Sequence, residues 1–300
     1  KGPALSAIQR VAVILFSAKS GCKGTVIFPF FQIFRKKNKF CIIIFSYLFP
    51  FNYFCRCMVT KTSAIVLHSL KYGDKRIIVD MFTRSSGRQS FIVTLPSSAK
   101  SRVKKQFFQP LTLLDIEMEI RSLRQLQKLS DVRLAIPYYS IPFNPEKLSI
   151  TLFIAEFLYH ALRGEQENAP LFDYVSDSLQ WLDGQSSSYT NFHLVFLMRL
   201  SLFLGFYPNL EGYRDGDVFD LRESVFVSHV PMHRDFLVPT EASRLQTLMR
   251  MDFPTMHLYR MSHCDRNRLL EIILTYYRLH MPDFPELRSL QVLKEIYQST

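Results

Sequence analysis

Between residues 64 and 93 the chain contains three short runs rich in apolar residues, separated by glycine-centred turns. These runs are rich in β-branched and aromatic residues, which favour strands over helices. They cover Ala64–Leu67, Arg76–Thr83 and Arg88–Val93, with turns at Tyr72-Gly73-Asp74 and Ser85-Ser86-Gly87. We interpret the stretch as a meander of antiparallel strands, and the rest of the chain is organised around it.

Two more runs extend this pattern. Apolar and polar residues interleave from about 107 to 120, and residues 123–134 can supply another strand. A long basic connection, residues 97–105, separates them from the meander. Five strands with such a connection predict an OB-fold barrel over residues 58–137.

Three prolines between residues 136 and 145 mark a linker, because proline can continue neither a helix nor a central strand. Beyond the linker the apolar period changes from two to 3.6 residues, which predicts helices. We expect them at about 148–164, 171–184, 192–206, 240–251, 264–280 and 286–298. The predicted fold class is α+β: an OB-fold barrel (58–137) followed by an all-α bundle (138–300), with an irregular hairpin insert at 207–239.

Charge is distributed unevenly along the chain, whose overall formal charge is +11. Residues 58–137 hold 14 basic and six acidic residues, whereas residues 138–300 hold 14 basic and 20 acidic ones. A basic surface confined to the barrel favours a phosphate-binding face over general stickiness. Beyond residue 57 the only cysteine is Cys264, so a disulfide framework is excluded there and a reducing cytoplasm is expected.

Nine basic residues fall in or beside the meander, and only Asp74 and Asp80 oppose them between residues 71 and 105. We predict that these nine contact nucleic-acid phosphates: Lys71, Lys75, Arg76, Arg84, Arg88, Lys100, Arg102, Lys104 and Lys105. Tyr72 and Phe91 are candidates for base stacking, although an aromatic residue on a small barrel belongs to the core more often.

The same stretch resembles the N-terminal signature of the RecO family of bacterial recombination mediators. The resemblance is carried by Leu67, Tyr72-Gly73-Asp74, Arg76, Ile78, Phe82-Thr83 and Gly87. Asp74 stands where the family usually has glutamate. Near the other end, a helix ending at His280 and the later Leu287-Arg288-Ser289 are similar to the family's closing pattern. The resemblance thus touches both ends of residues 58–300 and is weak in the middle.

This resemblance implies a non-catalytic DNA repair protein, a recombination mediator of the cytoplasm that associates with the nucleoid and not with a membrane. Such a protein binds single- and double-stranded DNA and anneals complementary strands. It acts with RecR, contacts the acidic C-terminal tail of single-strand-binding protein, and helps to load the RecA recombinase. The residues agree with the absence of catalysis, since ten glycines and no nucleophile elbow leave little material for a nucleotide or acyl site.

No cofactor or metal is expected. Many RecO-like proteins carry two cysteine pairs for a structural zinc after the equivalent of Gly205–Leu210, but the insert at 207–239 contains no cysteine. Four-thiolate zinc binding is therefore excluded there. The groups His229, His233 with Asp235, and His257, His263 with Cys264, are better explained as surface or hydrogen-bonded side chains.

Residues 1–57 differ from the remainder, with nine basic residues and no acidic one. A basic stretch precedes an apolar run, Phe40–Phe54, that is shorter than the roughly 20 residues needed to span a bilayer. We interpret Met58 as the initiator and residues 1–57 as translated upstream sequence or a leader, poorly ordered. A membrane anchor and a family-specific extension stay open.

Two other functions stay open as well. A generic RNA-binding OB module with a helical interaction domain fits the same residues, because no motif distinguishes DNA from RNA. A competition assay between matched DNA and RNA oligonucleotides separates these two. A membrane-anchored interaction protein is the third alternative, and comparing chains that start at Lys1 and at Met58 in a fractionation tests it.

Overall fold

The computed structural model of the protein describes residues 30–36, 39–45, 59–95, 103–120 and 124–296. The chain forms two units, Lys1–Arg56 and Cys57–Thr300. In the first, β1 (Phe30–Lys36) and β2 (Lys39–Phe45) pair antiparallel. The interpretation of residues 1–57 as poorly ordered upstream sequence otherwise falls outside the described residues and stays a prediction.

Five strands close into a barrel at the start of the second unit. They are β3 (Val59–Lys71), β4 (Arg76–Thr83), β5 (Gly87–Thr94), β6 (Leu113–Glu119) and β7 (Leu126–Ile136), in the spatial order β3-β4-β5-β7-β6. A bulge between Val66 and His68 bends β3, so its first half pairs with β6 and its second half with β4. This closed five-stranded arrangement is OB-like and confirms the predicted barrel.

Successive side chains of each strand alternate between the interior and the outside of the barrel, and the inward residues are apolar. Val79, Met81 and Phe91 are fully buried inside it. A 3₁₀ helix (Lys105–Phe108) then places Phe108 against the same core. The prediction that Phe91 stacks on a base is therefore wrong, since its ring has no exposed surface.

Six α helices follow in the described residues: α1 (Pro145–Ala161), α2 (Ala169–Gly184), α3 (Phe192–Phe203), α4 (Pro239–Arg250), α5 (His263–His280) and α6 (Ser289–Ile296). They confirm the predicted helices to within a few residues. One such difference is the late start of α6, where the carboxylate of Glu156 accepts hydrogen bonds from the backbone N–H groups of Arg288 and Ser289. Among the described helices, none has both the length and the apolar composition that crossing a bilayer requires.

The predicted insert hairpin is a three-stranded sheet of β8 (Val218–Asp220), β9 (Val225–Val227) and β10 (Phe236–Leu237), in the order β10-β8-β9. Asp220 holds its turn by accepting hydrogen bonds from the backbone N–H groups of Arg222 and Glu223. The same carboxylate lies 3.1 Å from Nε2 of His233. Within the described ranges no three His, Cys, Asp or Glu residues are arranged as metal ligands, and the absence of zinc stays a prediction.

The proline-rich linker is held rigidly at the end of α2. The carboxylate of Asp183 accepts hydrogen bonds from the backbone N–H groups of Tyr139, Ser140 and Ile141, each at 2.8 Å. Burial alone would raise the pKa of Asp183, but these bonds outweigh burial and hold the pKa below its usual value. The linker therefore acts as a fixed spacer between the barrel and the helices.

Barrel and helices share one hydrophobic core across this linker. Ile65, Leu67 and Phe82 of the barrel belong to the same buried cluster as the helical residues. The rings of Phe82 and Phe172 lie 5.9 Å apart, centroid to centroid. Because this interior is continuous, the orientation of the barrel on the helices is set by close packing.

Candidate nucleic-acid interface

Five of the nine predicted DNA-binding residues lie at one end of the barrel. Three surround the β3–β4 turn, and two precede or begin the 3₁₀ helix that closes the barrel mouth. Beside them is an open cavity of about 560 Å³, lined by Ser69 and Ile77 as well as by residues 104–106. We call these five residues the tip patch: Lys71, Lys75, Arg76, Lys104 and Lys105.

The tip patch is exposed and electrostatically unbalanced. All five side chains are exposed, and none forms an ion pair or a side-chain hydrogen bond with a residue that the structure describes. The single acidic residue within the β3–β4 turn is Asp74. Cations in such a setting keep their full charge available for an anionic ligand, which is the arrangement that phosphate binding requires.

Tyr72 is the aromatic residue of this end of the barrel. Its backbone N–H donates to the carbonyl of Arg76 at 2.9 Å, which closes the turn around Gly73. The guanidinium carbon of Arg76 lies 5.5 Å from the centroid of the Tyr72 ring, a cation–π contact. Tyr72 is 49% exposed, so it stays a candidate for stacking, with Arg76 against its ring.

Arg84 lies at the opposite end of the barrel and faces the helices. β4 spans eight residues, so its two ends are about 25 Å apart. Nε and Nη2 of Arg84 donate to the two carboxylate oxygens of Asp173 on α2, at 2.8 and 2.9 Å. This bidentate hydrogen bond holds the pKa of Asp173 below its usual value. Arg84 is thus already neutralised by a carboxylate of the same chain.

Arg88 is engaged even more completely. Its Nη1 donates to the carbonyl oxygen of Tyr159 at 2.7 Å, and its guanidinium carbon lies 4.5 Å from the centroid of the Tyr159 ring. Its Nη2 lies 3.8 Å from the carboxylate of Asp80, and the side chain is only 14% exposed. The guanidinium of Arg88 is thus held within the chain, and its contact with DNA stays a prediction.

Gly87 explains why the β4–β5 turn approaches the helices so closely. Its φ of +64° is a left-handed conformation that favours glycine. A Cβ atom at this position would lie 2.4 Å from backbone atoms of Glu165 and Gln166. The backbone N–H of Arg88 donates to the carbonyl of Glu165 at 3.0 Å. We call Arg84, Gly87 and Arg88 the docking contact, since they join the barrel to the helices.

The outer face of the barrel carries a row of residues that the sequence did not single out. Leu70, Ile78, Ile92 and Lys128 are register partners across β3, β4, β5 and β7. Leu70 is 57% exposed, and Lys128 is exposed at the far side of the row. Arg124, just before β7, is exposed as well. In OB-folds this face and its flanking loops form the nucleic-acid site. The order of strands in the barrel therefore identifies Arg124 and Lys128 as two further candidates for contact with nucleic acid.

Two predicted residues, Lys100 and Arg102, lie outside the described residues. The structure therefore divides the nine candidates into three groups: the five of the tip patch, the two arginines of the docking contact, and these two. An OB-like barrel with unpaired cations at its mouth, joined to a helical half, is typical of nucleic-acid-binding proteins.

Comparison with known proteins identifies the family. The family model described as Recombination protein O N terminal matches residues 58–138, and the one described as Recombination protein O C terminal matches residues 142–291. The DNA repair protein RecO of Phocaeicola vulgatus is 52% identical over 240 residues, which cover 80% of this chain and 100% of that protein. Those of Azobacteroides pseudotrichonymphae and Porphyromonas gingivalis are 36% and 34% identical, with the same coverage. The chain belongs to the RecO family of DNA repair proteins.

Proposed function

We propose that this protein is a recombination mediator that binds single- and double-stranded DNA through the tip patch and anneals complementary strands. The observation that carries the proposal is the tip patch itself, in which five exposed cations form no ion pair with a carboxylate of the described residues. Annealing requires that two polyanions be brought together while their charge is neutralised. A basic surface without a base-reading motif supports this, because it neutralises any strand in the same way.

The salt dependence of binding tests this proposal. If each tip-patch residue meets one phosphate, log K for single-stranded DNA should fall with log salt at a slope of about −3.5, and for duplex DNA at about −4.5. Fluorescence anisotropy with a labelled oligonucleotide between about 50 and 300 mM salt measures both slopes. A slope near zero, or failure to accelerate annealing of complementary oligonucleotides, would contradict the proposal. A matched RNA competitor that binds much more tightly would favour the RNA-binding alternative.

The partners belong to the same proposal. We expect RecR to act with this protein, and the acidic tail of single-strand-binding protein to recruit it so that RecA can load on the cleared strand. This work is done without catalysis, in the cytoplasm and on the nucleoid. Membership of the family supports these partners, and a cavity between the barrel and the helices suits the acidic tail.

That cavity, of about 550 Å³, lies between β3, α1 and the residues that precede α6. Its apolar lining includes Leu67, Leu152 and Ala155, and Arg288 stands at its edge. Of its two carboxylates, Glu156 already accepts hydrogen bonds from the backbone N–H groups of Arg288 and Ser289, and Glu286 is exposed. An apolar pocket beside a cation fits a short acidic peptide with apolar side chains. The change Arg288→Ala should weaken a labelled tail peptide several-fold, whereas Arg278→Ala, an exposed arginine of α5, should not. Equal binding by the two variants would mean that the tail binds elsewhere on the protein.

A further inference from the structure

The barrel is poor in aromatic side chains that could hold a base. Residues 58–137 contain five aromatic residues of the Phe, Tyr and Trp types, and the stretches 96–102 and 121–123, outside the described residues, contain none of them. Phe82, Phe91 and Phe108 are buried, and Phe107 is half-buried against the barrel core. Tyr72 alone remains, so the barrel lacks the succession of exposed rings that base stacking on an OB-fold normally uses.

Tyr72 does not supply such a platform by itself. It lies in the turn at the barrel tip, with the guanidinium of Arg76 5.5 Å from its ring centroid. His68 is exposed on β3, but its ring packs against that of Tyr159, with 4.8 Å between the ring centroids. A strand that reached the tip would therefore meet Arg76 together with the Tyr72 ring, and the charge of Arg76 favours the phosphate.

The outer face of the barrel is aliphatic between the tip patch and the cations Arg124 and Lys128. Leu70, Ile78 and Ile92 lie side by side on three neighbouring strands, about 4.8 Å apart. Arg76 stands at one end of this face, and Lys128 is the next register partner at the other. Aliphatic side chains can cover the apolar side of a deoxyribose ring, but they offer no π-face to a base.

We propose that this barrel holds single-stranded DNA by its phosphates and sugars and leaves the bases unstacked and ready to pair. This inference rests on the proposed function, since it concerns the same surface and the same ligand. The ligand it requires is the deoxyribose-phosphate backbone alone. Bases that are not stacked on protein side chains need no release before a complementary strand pairs with them, so such binding suits annealing.

An abasic strand tests the inference directly. The full chain is titrated, at one salt concentration near 100 mM, with three labelled oligonucleotides of about 30 nucleotides: oligo-dT, a mixed sequence, and a strand of tetrahydrofuran abasic sites. All three carry the same phosphates and differ in their bases. We expect their affinities to agree within about fivefold, because the loss of even one stacked base costs at least about that much. A loss of more than fivefold for the abasic strand alone would overturn the inference.

Two further measurements complete the test. The variant Tyr72→Leu should bind oligo-dT and the abasic strand with the same ratio as the parent, whereas a selective loss for oligo-dT would identify Tyr72 as a stacking residue and overturn the inference. Thymines in the bound oligo-dT should stay as reactive towards permanganate as in the unbound strand, and protection would overturn it as well. If none of the three strands binds, the proposed DNA-binding function fails, and the inference fails with it.

Discussion

The two ends of β4 carry the same kind of side chain in opposite settings. Arg76, at the tip end, is exposed and contacts no carboxylate of the described residues. Arg84 and Arg88, at and beyond the other end, are bound by Asp173, Asp80 and the carbonyl of Tyr159. A cation whose charge is already matched within the chain holds the fold together, whereas an unmatched one can bind a ligand. The comparison teaches that a basic stretch in a sequence can serve two purposes about 25 Å apart.

Removing charge from the tip patch should have the largest effect. The combined changes Lys71→Ala, Lys75→Ala and Arg76→Ala remove three of five proposed phosphate contacts, so the single-strand salt slope should move from about −3.5 to about −1.4. Affinity at about 150 mM salt should fall by about one to two orders of magnitude. Fluorescence anisotropy over a salt series measures both quantities.

The matched control is Lys61→Ala on the same strand, β3. Lys61 is exposed but already paired with Glu117, with a distance of 2.7 Å between Nζ and Oε1. Its removal should leave the slope unchanged. If the triple variant keeps the parent's slope, the tip patch is not the DNA site and the contrast between the two ends of β4 loses its functional meaning.

Gly87→Ala should have the next largest effect, and on stability instead of binding. The new Cβ would lie 2.4 Å from the backbone of Glu165 and Gln166, and alanine is strained at this positive φ. We expect the free energy of unfolding to fall by about 2–4 kcal/mol, or Tm by roughly 4–12 °C. Thermal denaturation followed by circular dichroism measures it.

Gly73→Ala provides a close comparison for this change. Gly73 has a similar φ of +75°, but nothing lies within 4 Å of its would-be Cβ. Its replacement should cost only the backbone strain, about 1–2 kcal/mol. Equal losses for the two glycines would mean that the approach to the helices contributes nothing beyond the turn itself.

A pair of identical substitutions at the two ends sharpens the comparison further. Arg88→Met removes the hydrogen bond to Tyr159 and the cation–π contact, which should cost about 1–3 kcal/mol of stability and leave the salt slope alone. Arg76→Met should do the reverse, lowering the magnitude of the slope by about 0.7 with little change in Tm. The two measurements together form a crossed test. A change in slope from Arg88→Met would mean that this arginine reaches DNA after all.

The smallest effect concerns pH. Arg84 keeps the pKa of Asp173 below its usual value of 3.8, so the pair stabilises the folded protein at neutral pH. This stabilisation is present above the unfolded pKa and disappears as the pH falls through the lower folded pKa. Arg84→Ala should therefore lower Tm slightly at pH 7, by about 1–2 °C for such an exposed pair, and the gap should narrow below about pH 4. A gap that widens in acid would contradict the role given to Asp173.

Local patterning accounts for the parts of the fold that the sequence predicted. The β-branched and aromatic content of β4 and β5, and the apolar period of 3.6 residues in the helical half, depend on neighbours along the chain alone. At least one boundary that moved did so for a non-local reason. α6, for example, begins at Ser289, where Glu156, far away in sequence, accepts hydrogen bonds from the backbone N–H groups of Arg288 and Ser289.

The candidate site was predicted less well than the fold, and the failures have a common cause. Phe91 and Tyr72 look alike in sequence, yet one is inside the barrel and the other at its tip. Lys128 was passed over because its place beside Ile92 depends on the parallel pairing of β5 with β7. Each of these assignments depends on which strands are neighbours in the barrel, and the composition of the chain does not contain that information.

The sequence by itself determined the order of strands and helices along the chain, the opposite net charges of the barrel and the helical half, and the membership of a family. These properties follow from local propensity, charge and residue order. Only the tertiary structure decided which cations remain available, because closing the barrel and packing it on the helices brought Asp173 to Arg84 and Tyr159 to Arg88. Whether a cation forms an ion pair depends on the groups that lie next to it in space, and packing across the whole unit decides which groups those are.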